Sequence, residues 1–240
     1  MIVPKKSLGQ NFLLDKNIIN KIVNILKIKN KTVIEIGPGL GSLTDELLKK
    51  KPKKLIVIEK DEKLYESLHK KFNKIDIIKI INKDILDFDF KKFTNLIIIS
   101  NLPYNVSTKI ILKLFKLNKN IDEMIFMIQK ELSDKFNYKS GKINKYKFIT
   151  QLSSDYKYYF KVSSNVFFPK PKVQSAVVGF KLKKKEIDWV KIDKFINIIF
   201  NNNRKKIKNK KLINNKITKF NDKRVDELSY FDLLKIYKSF

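Results

Sequence analysis

An α/β fold, with a parallel sheet covered on both faces by helices, is predicted from three observations. Runs at 32–36, 55–58, 75–81, 96–99 and 124–128 are short, rich in β-branched residues and apolar almost throughout, as strands buried on both faces require. Between them lie segments whose apolar residues recur at three- and four-residue spacing, the period of an amphipathic helix. Finally, a glycine or polar residue follows each of the first four runs within a few positions. In a parallel sheet those positions share one edge, where such folds bind their ligands.

The elements follow in order. Residues 5–14 form a polar-to-apolar lead-in, and Asp15 stands as the N-cap of a helix carrying Ile18, Ile19, Ile22, Val23, Ile25 and Leu26. The first core strand, 32–36, opens into Gly37-Pro38-Gly39-Leu40-Gly41, and a helix with Leu43, Leu47 and Leu48 on its apolar side follows. The second strand ends in Glu59, a charged helix spans about 61–72, and the third strand leads to Asp84. The fourth runs into Asn101-Leu102-Pro103-Tyr104 and a helix bearing Ile110, Ile111, Leu114 and Phe115. After the fifth strand comes a helix near 129–136 and a Lys/Gly/Asn loop at 139–145. Residues 146–152, 156–162 and 173–182 are expected to be strands closing the sheet antiparallel. Lys183-Lys184-Lys185 marks a boundary: residues 1–183 are expected to form the catalytic domain and 184–240 a small all-helical domain.

Composition narrows the chemistry. There is no cysteine among 240 residues, which rules out disulfides and thiolate ligands, and the single histidine, His69, lies in a charged helical stretch. No metal site is expected. No apolar window is long enough for a membrane helix. The residues from Met1 to Lys6 have neither a signal-peptide core nor a transit-peptide pattern, so a cytoplasmic protein is expected. The formal charge of +29 calls for a polyanionic partner, most simply nucleic acid. A second cause contributes, since 51 lysines accompany 35 isoleucines and 23 asparagines, all encoded by AT-rich codons. Residues 181–240 nonetheless concentrate the charge, with 18 Lys and Arg against 7 Asp and Glu.

The glycine loop sits between a strand and a helix, where missing side chains let backbone N–H groups approach a ligand closely. Glu59, at the end of the next strand, can accept hydrogen bonds from both hydroxyls of a ribose, and Asp84 can hold an adenine amino group. Gly-Pro-Gly-Leu-Gly in place of Gly-x-Gly-x-x-Gly favours S-adenosylmethionine over a dinucleotide.

Asn101-Leu102-Pro103-Tyr104 has no packing rationale after a buried strand, but it suits methylation of a base amino group. That nitrogen is a poor nucleophile because its lone pair is delocalised into the ring. The Asn101 side-chain oxygen and the Leu102 carbonyl can accept its two hydrogens, Pro103 stiffens the turn, and Tyr104 offers a stacking face. Phe167, in Phe167-Phe168-Pro169-Lys170-Pro171-Lys172-Val173, is a candidate second wall around a flipped base.

Taken together, Ser7-Leu8-Gly9-Gln10-Asn11-Phe12-Leu13, Glu35-Ile36-Gly37-Pro38-Gly39-Leu40-Gly41, Asn101-Leu102-Pro103-Tyr104-Asn105 and Phe167-x-Pro169-x-Pro171-Lys172-Val173-x-Ser175 resemble the small-subunit ribosomal RNA adenine dimethyltransferase family over essentially the whole chain. The resemblance implies a class I S-adenosylmethionine-dependent methyltransferase fold with a small helical C-terminal domain. It further implies N6-dimethylation of two adjacent adenosines near the 3′ end of small-subunit rRNA, within an immature small ribosomal subunit, by a monomer. Asn11, Leu13, Gly37, Glu59, Asp84 and Asn101 are implied cofactor contacts, with Asn11 and Leu13 resting on the resemblance alone. Asn101 to Tyr104, with Phe167, are implied at the target adenine. Arg204, Lys205, Lys206 and Lys208, in the basic C-terminal run, are the candidate RNA-binding residues.

The chain departs from the family in two places. Leu132-Ser133-Asp134-Lys135 and Lys145-Tyr146-Lys147 replace an arginine-containing helix and a Tyr-Gly element. Two alternatives stay open at this point: a large-subunit rRNA adenine methyltransferase of the macrolide-resistance type, and a non-catalytic RNA-binding or transcription factor on the same fold. The intact ligand set argues against the second.

Overall fold

A computed structural model describes residues 4–5, 8–202, 204–210 and 219–240. Met1 to Val3, Lys6 and Ser7, which belong to the leader and to the first motif, lie outside the described residues. The elements are β1 (Phe12–Leu13), α1 (Lys16–Val23), β2 (Thr32–Ile36), α2 (Ser42–Lys49), β3 (Lys54–Glu59), α3 (Glu62–Phe72), β4 (Ile78–Asn82), β5 (Leu96–Asn101), α4 (Ser107–Phe115), β6 (Ile121–Gln129), α5 (Lys130–Phe136), α6 (Lys145–Ser153), β7 (Ser154–Val162), β8 (Phe167–Phe168), β9 (Ser175–Leu182), α7 (Trp189–Ile199) and α8 (Tyr230–Ser239).

Seven strands form the main sheet in the order β4-β3-β2-β5-β6-β9-β7. β2 to β6 are mutually parallel, and β9 inserts antiparallel between β6 and β7. The chain winds outward from β2 through β3 to β4, then returns to the other side of β2 as β5. The crevice at this reversal is where open α/β sheets bind ligands. The period-two alternation of the strands divides the core between the two faces. Ile34, Ile56, Ile98, Phe126 and Phe180 pack with α4, α5 and α6 on one side. Val33, Val57, Ile99, Ile125 and Met127 pack with α1 and α2 on the other.

Local signals set most boundaries as expected. Asp15 Oδ1 accepts the Ile18 N–H at 2.9 Å and caps α1, and Asp61 caps α3 in the same manner. Residues 146–152 differ from expectation, forming helix α6 instead of a strand. Asn144 Oδ1 accepts from Tyr146 N and Lys147 N at 2.8 and 3.0 Å, supplying an N-cap. Phe148, Ile149 and Leu152 then fall on one buried helical face, which outweighs the strand propensity of the aromatic and β-branched residues. The third core strand begins at Ile78, since residues 75–77 belong to a turn closed by the Ile78 N–H on the Ile75 carbonyl.

Beyond Lys183, α7 and α8 are joined by short 3-10 turns, and the helical pattern expected there is present. This segment shares a core with the main sheet. Phe195 lies 5.5 Å from Phe148 between ring centroids, and Phe148 in turn meets Tyr230 and Tyr237.

Candidate active site

The C-terminal ends of β2, β3, β4 and β5 open onto one cleft, roofed by the segment leading into β1. Asn11, Leu13, Gly37, Glu59, Asp84, Asn101, Leu102, Pro103 and Tyr104 all line it. These nine residues come from separate sequence motifs, and the fold brings them to one place.

The floor is the glycine loop. Gly37, Gly39 and Gly41 all have positive φ, at 60°, 59° and 79°. At Gly39 the requirement is doubled, because a Cβ there would stand 2.7 Å from Phe12 Cδ1. The loop therefore needs glycine both for its backbone conformation and for the ring lying on it. The Gly37 N–H donates to the Ile58 carbonyl at 2.9 Å, and Ser100 Oγ donates to the Ile36 carbonyl at 2.5 Å. These two bonds lock the β2 end between its neighbours.

Below the loop, Glu35 is fully buried and accepts the Thr44 hydroxyl at 2.7 Å. Burial pushes its carboxyl up to about 8, with the Thr44 bond acting in the opposite direction. Glu59 is also buried. Desolvation raises its carboxyl above the ordinary range, opposed by backbone N–H groups of Asp61, Gly39 and Lys60. Its Oε1 accepts from Asp61 N at 2.8 Å, so the carboxylate is fixed in direction.

Asp84 caps the 3-10 turn Ile85–Asp87, with Oδ1 accepting Leu86 N at 2.8 Å, and Oδ2 pairs with Lys60 Nζ at 2.7 Å. Burial pulls its carboxyl upward, but the bonds from Lys60 and Leu86 N hold it below the usual value. Lys60 is largely exposed, so it can leave or share that oxygen at little cost. From α4, Lys113 Nζ donates to the carbonyls of Ile85, Leu86 and Phe88 at 3.1, 2.5 and 3.2 Å. The helix after the Asn-Leu-Pro-Tyr motif thus grips the loop that carries Asp84. No sequence motif pointed to Lys113.

At the end of β5, Asn101 Nδ2 donates to the Asn11 carbonyl at 2.9 Å. That bond sets the amide orientation and leaves Asn101 Oδ1 buried without a hydrogen-bond partner. A buried acceptor in this condition is costly unless a ligand donates to it. The same bond gives Asn11 a role in its own right. Leu102 N donates to the Met127 carbonyl at 3.1 Å and Ser107 Oγ to the Pro103 carbonyl at 2.7 Å, which stiffens the turn from both ends. The Tyr104 hydroxyl meets Ser175 Oγ at 2.5 Å.

Phe167 sits elsewhere. β1 and β8 pair antiparallel, with Phe12 opposite Phe168 and Leu13 opposite Phe167. Phe167 accordingly turns into the core with Leu13, 5% exposed, and does not line the cleft, whereas Phe168 is 56% exposed. Arg204, Lys205, Lys206 and Lys208 lie well away in sequence and outside the cleft. Lys206 and Lys208 are tied to Asp222 at 3.3 and 2.7 Å, while Arg204 and Lys205 have no ion-pair partner among the described residues. Among the described residues no cluster of His, Asp and Glu could hold a metal ion, and no helix is long and apolar enough to cross a membrane.

Comparison with known proteins bears on what the cleft does. The family model described as ribosomal RNA adenine dimethylase matches residues 3–240. A ribosomal RNA small subunit methyltransferase A from Malacoplasma penetrans is 42% identical over 213 residues, covering 85% of this chain and 76% of the relative. One from Hydrogenobaculum sp. is 38% identical over 242 residues, covering 100% and 94%. Among solved structures, a dimethyladenosine transferase from Plasmodium falciparum superposes with a TM-score of 0.80 at 22% identity, over 93% of this chain and 95% of that one. That likeness extends the fold comparison to nearly the full length of both chains.

Proposed function

The chain belongs to the ribosomal RNA adenine dimethylase family, and from that premise we propose that it transfers methyl groups from S-adenosylmethionine to N6 of two adjacent adenosines near the 3′ end of small-subunit rRNA. The observation that carries this reading is Asn101, whose side-chain oxygen is buried, unpartnered and held in direction by Asn11. An exocyclic amino group is the kind of donor that satisfies it. Accepting one N–H at Asn101 Oδ1 and the other at the Leu102 carbonyl draws the nitrogen away from planarity and returns its lone pair to the reacting side. No strong base is needed, because the nitrogen becomes acidic once methylated. Holding the amine in line with the methyl carbon supplies the rest.

The cleft suits the methyl donor as well. S-adenosylmethionine, when bound, supplies an electrophilic methyl carbon on a sulfonium. Gly37 and the open backbone of its loop leave room for the ligand to approach, Glu59 is placed to accept from ribose hydroxyls, and Asp84 from an adenine amino group. Asn11 and Leu13 close the roof above them. Tyr104 provides one face for the target base, and Leu13, packed in the core with Phe167, lines the same cleft.

The RNA is held by the basic segment after Lys183. Residues 184–240 serve as the RNA-binding domain and 1–183 as the catalytic one, with Arg204, Lys205, Lys206 and Lys208 on phosphates. The protein acts as a cytoplasmic monomer on an immature small subunit, without a metal. The deciding experiment incubates the protein with unmethylated small subunits and labelled S-adenosylmethionine, then maps the modified nucleotides. Label on two adjacent adenosines near the 3′ end of small-subunit rRNA is the expected result. Label confined to large-subunit RNA would overturn the choice of substrate, and failure to bind S-adenosylmethionine would overturn the enzymatic reading.

A further inference from the structure

The rim of the cleft carries an apolar surface that this chemistry does not use. Directly paired residues of antiparallel strands project to the same face. Leu13 and Phe167 therefore share the inward face of the β1–β8 ladder, and Phe12 and Phe168 share the other. Phe12 is buried on the glycine loop, but Phe168 beside it is left 56% exposed. The ladder runs one residue further, since Leu14 N donates to the Val166 carbonyl at 3.0 Å. Alternation places Leu14, 50% exposed, on the same face as Phe12 and Phe168.

The segment that carries this ring is basic: residues 161–174 contain three lysines and no acidic residue. Lys60, Lys71 and Lys116 elsewhere on the surface are held by carboxylates. Lys170 and Lys172, both exposed, have no such partner among the described residues. Pro169 and Pro171 alternate with them and restrict the backbone that presents ring and ammonium groups together. One exposed phenylalanine is ordinary on any surface. An exposed ring beside uncompensated lysines, at the rim of a pocket that accepts a base, is a single-strand nucleic-acid platform in miniature.

We propose that Phe168 stacks on the nucleobase adjoining the target adenosine, with Lys170 and Lys172 on the neighbouring phosphates. The proposal rests on the RNA methyltransferase reading above. It gives the enzyme a grip on the strand next to the flipped nucleotide, independent of the C-terminal domain.

The test uses the full chain with unmethylated small subunits. F168A and F168L should raise KM for the subunit by roughly 5- to 100-fold, the range expected for one lost base–aromatic stack. kcat and S-adenosylmethionine affinity by calorimetry should stay near those of the unaltered protein. F168W should restore KM, because it keeps a stacking face. The K170Q/K172Q double variant should flatten the dependence of log KM on log salt by about 1.4 for two single-strand phosphate contacts. Wild-type KM in F168L would mean that apolar packing suffices and would overturn the stack. A matching loss of cofactor affinity in F168A and F168W would assign the ring to the ladder's own structure. An unchanged salt slope would remove the two lysines from the proposal. No methyl transfer by the unaltered protein would overturn the RNA reading and this proposal together, whereas transfer with unaffected variants would overturn this one alone.

Discussion

The Tyr104 hydroxyl and Ser175 Oγ stand 2.5 Å apart, joining the turn after β5 to the first residue of β9. Burial raises the Tyr104 phenol above its ordinary value, with the Ser175 bond opposing that shift, so the ring is neutral over the working pH range. The bond fixes how the ring faces the cleft. A phenol held at its tip presents one orientation to an incoming base, and a free one would have to be ordered at the moment of binding.

Removing either end of this link should therefore loosen the base pocket without dismantling it. Ser175→Ala and Tyr104→Phe should each raise KM for the RNA substrate several-fold, consistent with about 1 kcal/mol for one buried neutral hydrogen bond. Because both remove the same bond, the double variant should be scarcely worse than either single one. Additive losses in that cycle would show that the two groups act separately. Tyr104→Ala, which also removes the stacking face, should cost more.

Asn101 leads to a sharper expectation. Asn101→Ala deletes both the orphaned acceptor and the donor to the Asn11 carbonyl. Methyl transfer should fall by at least about 100-fold, as when a single preorganised hydrogen-bonding group is taken from an active site. Subunit binding, measured by filter retention, should stay within a few-fold. Near-normal turnover would remove Asn101 from amine positioning. Asn101→Asp is the informative companion, because it keeps an acceptor but loses the donor, leaving the Asn11 carbonyl unpaired. Its transfer rate should be well below normal as well.

Much of this site is legible in the sequence, for a physical reason. Parallel strands must end in a common edge, so Gly37, Glu59, Asp84 and Asn101 could be gathered from linear spacing alone. Asn11 could not, because its contribution is a main-chain carbonyl, 90 residues from the amide that it orients, and a carbonyl has no sequence signature. Lys113 was hidden in an amphipathic helix for the same reason: its three acceptors are backbone atoms of another loop. The aromatic and β-branched residues of α6 favour extended chain locally, so its sequence alone suggests a strand. The Asn144 cap and a buried face on α8 and the sheet decided otherwise. Phe167 and Phe168 were adjacent aromatics with no sequence means of telling which faced out, and one hairpin-like pairing with Phe12 and Leu13 settles that.

The basic run divides into two pairs with different expectations. Asp222 pairs with both Lys206 and Lys208, whereas Arg204 and Lys205 have no carboxylate beside them among the described residues. Arg204→Gln with Lys205→Gln should weaken subunit binding and reduce its salt dependence more than Lys206→Gln with Lys208→Gln does. The physical reason is that an internally paired lysine has already released its counterion and must break its bond to reach a phosphate. Binding isotherms from low to moderate salt would test this. Equal slopes for the two double variants would mean that Asp222 does not matter to RNA engagement.

Glu35 makes a prediction about stability that is independent of substrate. Its carboxyl is raised from 4.5 to about 8 by burial in the folded protein. Between those values the native state holds a proton that the unfolded chain has released, so raising the pH favours unfolding. The stabilisation is fully present below about pH 4.5, falls through the interval, and is gone above about pH 8. A shift of that size corresponds to a change on the order of 4–5 kcal/mol at most. Glu35→Gln keeps an oxygen to accept from Thr44 but cannot ionise. The variant should lose the downward slope of Tm between pH 5 and 8 and should be more stable than the parent at pH 8. Parallel pH profiles for the two proteins would show that Glu35 reaches solvent or a counter-charge when it ionises, and so does not carry the burial cost assigned to it.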